Sequence, residues 1–538
     1  MLDVDKKSIT ELRDPSEVMK LSRMGSFHQS RLSFMRILMR QIRDENWKFK
    51  REEFNVNNKG VGHAIYSATG PKNTYSLIAF AHDLPDEKRS DRVIADAWDA
   101  TFTLYDGRPS EEDIERLKKN VPLQEVGRIS ENELCLSRAN KSVRLWDHVI
   151  SSLSAGCQPD VEQIDSVGYL MRTTAVYGSG KFGAVDREFV SDRTEFKAPF
   201  QYELLSVFMI RWFVLDLVNQ MAKVQNPDKA VQLDPKLGYR LGIGNSTGLG
   251  MAPFLLNHPV LLNNWILAKE TALSRVRSVQ KSSMEENKLF LELYEKSIIL
   301  FGLWRSDHPL QIKKLKEISN DLTRLSKYLK KFDFESTYPW DRLFNWSKKN
   351  LSMEGQEFII SLIMEPYGNL VDELAFTMSD NNQSYVKIDG LKSIGDIRKQ
   401  LNKVYGWIFD IDWECMDSNA RAWYVSQEKL EPRLGERFSE PIGNYEQPLS
   451  PARDVYRLSK DLANFGDDEL IANFLMLKPE HRHIVRRLQI VSNHPYSEIR
   501  DNTIGSQLLP IDMLRCKLSF FGAIHFDPRS DRWVRICM

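Results

Sequence analysis

The sequence predicts an α+β protein that is predominantly helical, with a helical body, an N-terminal antiparallel sheet and a smaller mixed C-terminal region. Segments of strand composition are confined to residues 47–105, helical periodicity dominates from residue 109, and the pattern becomes mixed after residue 380. The 538 residues of the chain exceed the roughly 250–300 at which single hydrophobic cores stop growing. We therefore expect two to four packed units, and the sequence pattern places three, at 1–108, 109–380 and 381–538.

The N-terminal region combines one helix with a run of short strands. Residues 21–44 place their apolar side chains on one broad face, as in an amphipathic helix. Segments rich in β-branched and aromatic residues follow, separated by Gly, Asn, Pro or Asp, at 47–56, 63–68, 75–81 and 91–105. In the last segment Trp98, Phe102 and Leu104 share one face at period two, which is typical of a sheet with one buried side. These features predict an antiparallel meander.

The region after residue 109 has the pattern of successive helices. Pro109 and the capping-box-like residues 110–113 begin the first. The apolar stripe at 143–153 ends at Gly156, which is a C-terminal helix signal. Residues 315–329 repeat apolar side chains at a 3,4 spacing for about two heptads, which favours a bundle helix over an extended coiled coil.

The most apolar segment of the chain covers residues 204–218. Arg211 and Asp216 interrupt it, and it is shorter than the roughly 20 apolar residues that a membrane-spanning helix requires. Its apolar residues surround the whole helix, as expected at the centre of a bundle. We interpret the segment as a buried helix and expect no membrane association.

The C-terminal region mixes several patterns. Residues 405–413 alternate apolar and acidic side chains like a strand, and 431–451 are rich in Pro and Gly, as in an ordered loop or linker. Helical periodicity returns at Ala452. Residues 518–526 and 533–536 flank a turn-forming sequence, so the chain is predicted to end in a hairpin.

Composition narrows the class of protein. Lys plus Arg and Asp plus Glu are both 74, so the chain lacks the positive charge of a general nucleic-acid or anionic-membrane binder. The five cysteines are scattered without a C-x-x-C pair, which favours neither a disulfide framework nor a thiolate zinc site. The N-terminal residues lack the apolar core of a secretory signal. We expect a cytoplasmic protein.

Glycine is concentrated in two loops of the first half of the chain. The first glycine loop, residues 177–183, matches the dinucleotide-binding spacing G-x-G-x-x-G. Such a site requires the third glycine to open an apolar helix within a β-α-β unit, whereas residues 184–197 are crowded with charges and no parallel-sheet pattern follows. Ala175 and Phe182 occupy positions where a phosphate-binding Walker loop needs Gly and Ser or Thr. A polar loop with Lys181 at its tip remains.

The second glycine loop, residues 242–250, runs directly into an apolar segment with Pro253 in a position suited to the first turn of a helix. Free backbone N–H groups at a helix start favour a phosphate or carboxylate. The substrate-binding residues predicted in this loop are Gly244, Asn245, Ser246, Thr247 and Gly248. The alternative is that these residues only cap the helix and turn a corner.

Charged residues near the two loops complete the predicted site. Arg211, Arg187 and Arg240 are candidates to balance the charge of an anion. His258 follows the second loop closely and is the first candidate for proton transfer, with Lys181 and Asp186 as alternatives. A lone histidine is more often structural, and charges in a linker are mostly solvated.

No metal site is predicted. The chain contains neither H-E-x-x-H nor a nucleophile elbow G-x-S-x-G. His481 and His483 are two residues apart in a helical segment and would face different directions. Asp410, Asp412 and Glu414 would share one face of a strand, either as ligands of a hard cation or, as we favour, as an exposed strand face.

These observations predict an enzyme that acts on a small anionic metabolite, bearing a carboxylate or phosphate, by acid-base chemistry of the lyase, isomerase or hydrolase type. No cofactor is specified, and a homo-oligomer is compatible with the sequence. The alternative is a non-catalytic interaction or regulatory protein that uses the charged and aromatic segment 419–437. An enzyme should enclose Asn245, His258 and Arg211 around one pocket, whereas an interaction protein should bury them in caps and ion pairs and expose an apolar surface elsewhere.

Overall fold

The computed structural model describes residues 11–85, 98–120, 130–177, 190, 192–245, 259–302, 304, 309–379, 385–413, 424–426, 429–432, 446–448, 451–500, 510–522, 525–526 and 534–536. The protein is 57% helical and has an N-terminal, curled, six-stranded antiparallel sheet and further helices. The predicted α+β, predominantly helical class is therefore confirmed.

The elements up to residue 245 begin with short helices, continue with the strands of the sheet and end with helices that alternate with strands. They are α1 (Pro15–Val18), α2 (Leu21–Met24), α3 (Phe34–Asp44), β1 (Lys48–Val56), β2 (Gly62–Thr69), β3 (Thr74–Ala81), β4 (Ala100–Asp106), α4 (Glu111–Asn120), β5 (Glu133–Lys141), α5 (Trp146–Ser154), α6 (Val161–Val167), β6 (Tyr169–Tyr177), a 3-10 helix (Thr194–Phe196), α7 (Gln201–Gln225), α8 (Pro235–Arg240) and β7 (Gly242–Asn245).

Helices dominate the rest of the chain. They and the remaining strands are α9 (Pro259–Arg277), α10 (Met284–Phe301), α11 (Pro309–Leu329), α12 (Pro339–Asn350), α13 (Met353–Ile363), α14 (Gly368–Val371), 3-10 helices (Asp372–Ser379, Gly406–Ile408 and Pro479–His481), α15 (Ile394–Tyr405), β8 (Tyr424–Ser426), β9 (Lys429–Pro432), β10 (Glu446–Pro448), α16 (Pro451–Leu462), α17 (Ile471–Leu477), α18 (Arg482–Asn493), α19 (Pro510–Phe521), β11 (His525–Phe526) and β12 (Val534–Ile536).

The chain divides into two compact units. The sheet unit comprises Leu32–Gly250, Phe520–Asp527 and Asp531–Met538, and the helical unit comprises Met1–Arg31, Met251–Ser519 and Pro528–Ser530. The predicted boundaries at 108/109 and 380/381 do not coincide with this division. The sheet continues past residue 108 through β5 and β6, because the strands after α4 pair with those before it.

One nine-stranded sheet organises the sheet unit, in the order β1-β2-β3-β4-β5-β6-β7-β12-β11. Strands β1 to β6 pair antiparallel in sequence, so the predicted meander is confirmed and extends beyond residue 105. The short β11–β12 hairpin pairs with β7 at the far side. The predicted terminal hairpin is thus confirmed, although residues 518–521 belong to α19.

Strands β3 and β4 are buried on both faces, which corrects the prediction of one buried side, whereas β1 is largely exposed. Phe102 packs edge-on against Phe213 of α7 on one face, with ring centroids 5.5 Å apart. Thr101 and Thr103, which alternate with Phe102, are fully buried as well. On this second face Leu117 of α4 joins a small core with residues of β3, β4 and β5. Because Thr alternates with apolar residues in β4, the sequence indicated one exposed face and could not show that α4 covers the face opposite α7.

Helix α7 is the central helix of the sheet unit. Its length and composition would allow it to cross a membrane, but 67% of its most apolar window is buried inside the protein, which is typical of a core helix. The predicted buried helix at 204–218 is therefore confirmed. Asp216 accepts a hydrogen bond from the Tyr66 hydroxyl at 2.7 Å and lies 3.3 Å from Arg51, so this charge has partners within the fold.

The predicted helix at 21–44 is divided into two. Helix α2 ends at Met24 and α3 begins at Phe34. A Cβ atom on Gly25 would lie 2.6 Å from the Cβ atom of Arg515, so the backbone makes a close approach that a side chain would prevent. Leu32 stays buried although it lies outside both helices. The apolar pattern of the sequence therefore continues across the break, because residues between the two helices are buried as well.

The helical unit holds a network of fully buried charges. Arg13 donates to both carboxylate oxygens of Glu270, at 2.7 and 2.9 Å, and to Glu357 at 2.8 Å. Lys269 donates to the other oxygen of Glu357 at 2.9 Å, and Arg23 lies 3.3 Å from Glu357. These bonds tie the segment before α1, and α2 itself, to α9 and α13.

A group of helices in the C-terminal part of the helical unit has its own core. Helices α15 to α18 contribute buried residues that include Leu401, Val455, Phe474 and Leu488. The prediction of a strand at 405–413 is wrong, because α15 continues to Tyr405 and a 3-10 helix and turns follow. The predicted return of helices at residue 452 is confirmed by α16. Strands β8, β9 and β10 form a separate three-stranded sheet.

Candidate functional site

The predicted cation Arg211 donates hydrogen bonds to backbone carbonyl groups. Its Nε donates to the carbonyl of Leu241 at 3.1 Å, and its Nη2 donates to the carbonyl of Gly238 at 2.5 Å. The guanidinium carbon lies 5.6 Å from the ring centroid of Tyr239. Because the last carbonyls of a helix lack partners within it, Arg211 stabilises the C-terminal end of α8.

Most other predicted site residues lie outside the described residues. This applies to Lys181, Asp186, Arg187, Ser246, Thr247, Gly248 and His258. Arg240 is described, and it forms an exposed ion pair with Asp165 at 2.7 Å. Gly244 and Asn245 belong to β7, between β6 and β12, so the first four residues of the second glycine loop are a strand. The anion site predicted for this loop stays a prediction.

The prediction that no parallel pairing follows the first glycine loop is wrong. Strand β7 pairs parallel with β6, and α7 and α8 lie between them in sequence. Helix α7 begins at Gln201, and the residues directly after the glycine at position 183 lie outside the described residues, so the dinucleotide interpretation is not tested by the structure. The segment between β6 and β7 contains no sequence signal that would predict their parallel pairing.

Among the described residues, the acidic residues and histidines singled out in the sequence are not brought together as one set of ligands. Asp410 and Asp412 are exposed but lie in a turn rather than on a strand, and Glu414 is outside the described residues. His481 and His483 contact different carboxylates, Asp461 at 2.8 Å and Asp454 at 3.4 Å. Asp461, Glu480 and His481 lie close enough to share an ion.

Lys478 lies beside the group formed by Asp461, Glu480 and His481. The ammonium of Lys478 lies 3.5 Å from Asp461 and 3.9 Å from Glu480. It supplies the positive charge that an ion would bring, so the group is an ion-pair network.

A cleft at one end of the sheet is the strongest candidate for a functional site. It has a volume of about 640 Å3, within the range of small-molecule sites. Strands β1, β2 and β3 and helix α4 form it, and all its residues belong to the sheet unit. Its lining consists of Phe54, Asn55, Val56, Asn57, Val61, Gly62, His63, Phe80, Ala81, His82 and Lys118.

Gly62 determines the shape of the cleft floor. Its φ angle is +149°, and a Cβ atom there would lie 1.9 Å from the carbonyl oxygen of Asn55. Only glycine allows this approach of β2 to β1. The neighbouring residue His63 is thereby held at the start of β2, opposite Asn55 and Phe80.

His63 forms a pair with a carboxylate. Its Nε2 lies 3.1 Å from Oε1 of Glu53, and both side chains are partly exposed. Among the described residues, Nδ1 of His63 has no hydrogen-bond partner. A carboxylate on one ring nitrogen orients an imidazole and leaves the other nitrogen for a ligand or proton. This is the geometry of a positioned general base or acid.

His82 differs from His63 in its surroundings. Its Nε2 lies 2.9 Å from the hydroxyl oxygen of Thr101. Burial lowers the pKa of His82, and the carboxylate of Asp99 offsets part of this effect. His82 is therefore neutral at pH 7. Its Nδ1 also has no partner in the part of the chain that the structure describes.

Lys118 supplies a positive charge at the same cleft. It lies on α4, and its exposed ammonium is 3.7 Å from Glu115 on the same helix. Surface pairs of this kind are weak, so the ammonium can exchange this partner for an anionic ligand. The cleft thus combines two imidazoles that differ in burial with one accessible cation.

The sequence contained weak signals for this site. His63 opens a predicted strand and His82 follows another, and residues at strand ends commonly carry function. The pairing of β2 with β3, which brings His63 opposite Phe80, was not readable from either segment alone. No protein-family model, no curated protein and no solved structure matches this chain.

Proposed function

We propose that the protein acts on a small anionic metabolite in the cleft formed by β1, β2, β3 and α4. The observation that carries this proposal is the convergence of His63, His82 and Lys118 on one cavity of about 640 Å3. Lys118 would bind the carboxylate or phosphate. His63, oriented by Glu53, would accept a proton from the substrate, and neutral His82 would hydrogen-bond to it. The chemistry is that of a lyase, isomerase or hydrolase.

The proposal retains the predicted substrate class and moves the site away from the second glycine loop. Arg211 donates to backbone carbonyls and Arg240 pairs with Asp165, while the anion site at that loop stays a prediction. A cytoplasmic location fits the free thiols of Cys135, Cys157 and Cys516 and stays part of the proposal.

A thermal-shift screen tests the proposal, with malate, citrate, phosphoenolpyruvate and inorganic phosphate as probes. Binding should raise the melting temperature of the full chain. Lys118→Gln should abolish the shift, whereas Lys119→Gln, the neighbouring exposed lysine of α4, should leave it unchanged. His63→Gln should retain binding and lose turnover of any probe that is converted. Equal shifts for both lysine variants would place the anion elsewhere and refute the proposal.

A second candidate function rests on an exposed apolar surface. On α17, Ile471 and Phe474 are buried while Met476 and Leu477 are 75% and 70% exposed. Leu391, 78% exposed, lies beside this helix because the carbonyl of the preceding Gly390 accepts the backbone N–H of Ala472 at 3.2 Å. We take these neighbouring exposed apolar side chains as a candidate interaction surface.

We infer that a second copy of the chain is the partner that best fits this surface. Asp468 and Glu469 lie at one end of α17, and Lys478, which is partly exposed and also contacts Asp461 and Glu480, lies at the other. Two copies related by a twofold axis would therefore bring opposite charges together. Light scattering should detect a dimer that Met476→Glu with Leu477→Glu converts to a monomer. The exposed Met284→Glu is the control. A monomer at every concentration would exclude this function.

A further inference from the structure

A second cavity in the sheet unit lies where α5 packs against the C-terminal end of α7. Its volume is about 350 Å3, near the lower end of the range for small-molecule sites. The apolar part of the lining consists of Trp146, Ile150, Met221 and Val224, and the polar part of Lys141, Asp147 and Gln225. None of these residues lines the cleft with His63 and His82, so the two cavities are separate sites.

Charges of both signs lie at this cavity. The ammonium of Lys141 is 5.3 Å from the ring centroid of Trp146 and 3.6 Å from Oδ1 of the buried Asp99. Asp147, in the first turn of α5, is exposed and forms no ion pair with any described residue. The carbonyl groups at the end of α7, near Gln225, add the negative end of a helix dipole. The cavity therefore offers one position for a cation and one for an anion.

We propose that this cavity binds a free α-amino acid with an apolar side chain. The ammonium group of the ligand would pair with Asp147, next to the end of α7, and its carboxylate would pair with Lys141. The apolar side chain would pack on Ile150, Met221 and Val224. The site goes beyond the proposed function and does not depend on it.

The charge pattern distinguishes this ligand from simpler ones. An apolar carboxylic acid would place its charge near Asp99 and Asp147 with only Lys141 to offset them. An apolar amine would satisfy Asp147 and leave the ammonium of Lys141 without a new partner. Only a zwitterion uses both charged groups, and charge-assisted hydrogen bonds are the stronger ones. The four apolar side chains favour leucine or methionine over serine or aspartate.

Isothermal titration calorimetry of the full chain with L-leucine and L-methionine tests this proposal. Both should bind at one site, while L-serine should not. Leucinamide lacks the carboxylate, and 4-methylpentanoate lacks the ammonium group, so each should bind at least about tenfold more weakly, which corresponds to ~1.4 kcal/mol. Absence of leucine binding would overturn the proposal. Equal affinity for leucine and either analogue would overturn it as well.

Variants of the cavity locate the binding site independently of the ligand series. Val224→Trp should fill the cavity and abolish leucine binding, and Asp147→Asn should weaken it at least about tenfold. Glu162→Gln, an exposed carboxylate on α6, is the matched control and should bind leucine normally. Both cavity residues lie at least partly exposed, so the variants should fold, which circular dichroism checks. Unchanged leucine binding in Val224→Trp would refute the assignment.

Discussion

Charged groups are arranged differently in the two units of this protein. In the helical unit, Arg13, Lys269, Glu270 and Glu357 are fully buried, and each has a partner of opposite charge within hydrogen-bond distance. In the sheet unit, the titratable groups of the cleft are partly exposed, and His63 and His82 each keep one ring nitrogen without a partner among the described residues.

The difference separates groups that stabilise a fold from groups that can react. A buried charge costs free energy unless its partner stays in place, so Glu357 cannot exchange Arg13 and Lys269 for a ligand. A half-exposed imidazole with a free nitrogen costs little and can bind or transfer a proton. Perturbed pKa values occur in both units, and the presence of a cavity is what distinguishes a functional group from a structural one.

The largest effect expected on stability comes from Glu357→Gln. This change leaves Arg13 and Lys269 buried without their shared carboxylate, and breaking a buried pair typically costs about 3–5 kcal/mol. The free energy of unfolding, measured with urea and circular dichroism, checks it. Glu373→Gln removes the exposed partner of Arg275 and should cost less than about 1 kcal/mol. Similar costs for the two variants would contradict the structural role of the network.

The next effect concerns the floor of the cleft. Gly62→Ala would bring a Cβ atom into the Asn55 carbonyl and should destabilise the sheet unit by about 2–4 kcal/mol. Gly107→Ala is the control, because Gly107 also has a positive φ, +85°, but a Cβ atom there has nothing within 4 Å. Thermal unfolding should rank Gly62→Ala as clearly the less stable variant. A reversed order would contradict the close approach of β1 and β2.

The two regions should also respond to pH in different ranges. Burial raises the pKa of Glu357, but Arg13 and Lys269 outweigh it and lower the pKa to about 2. Because this folded value lies below the unfolded value of about 4.3, the carboxylate stabilises the protein fully above pH 4.3. That contribution is lost as the pH falls toward 2. The stability difference between the wild type and Glu357→Gln, measured against pH, should shrink in this range.

The contribution of His82 to stability should also be lost on acidification, but in a higher pH range than that of Glu357. Burial lowers its pKa below the unfolded value of about 6.5, so the neutral ring favours folding above pH 6.5, and the contribution declines as the pH falls below that value. NMR titration of the His82 ring protons should show the lowered pKa. Asp99→Asn should lower it further, because Asp99 raises it in the wild type. An unshifted His82 would contradict its burial.

The smallest effect on stability should come from Lys118→Gln. Its ion pair with Glu115 is exposed, so the free energy of unfolding should change by less than about 0.5 kcal/mol. If anion binding falls while stability stays constant, Lys118 belongs to a binding site and not to the fold. A stability loss comparable with that of Glu357→Gln would contradict this contrast between the units.

The sequence by itself determined the fold class, the meander and the buried helix at 204–218. These features depend on local sequence, because β-branched and aromatic composition in β2 and β3 and continuous apolar composition in α7 each reflect burial along one segment. Local pattern failed at residues 405–413, where alternating acidic and apolar residues follow α15 without forming a strand. Local pattern also failed at residues 21–44, where buried residues continue the apolar pattern between α2 and α3 although the helix is interrupted.

Only the tertiary structure decided which polar groups share a site. Arg211 was singled out as a buried charge, yet the position of α8 made it a partner of two carbonyl groups. His63 and Lys118 are far apart in sequence and line one cleft because β2 pairs with β3 and α4 covers that face. Strand pairing and helix packing bring distant residues together through contacts that no single segment encodes. Periodicity therefore predicts individual helices and strands, whereas the cleft depends on how they pack together.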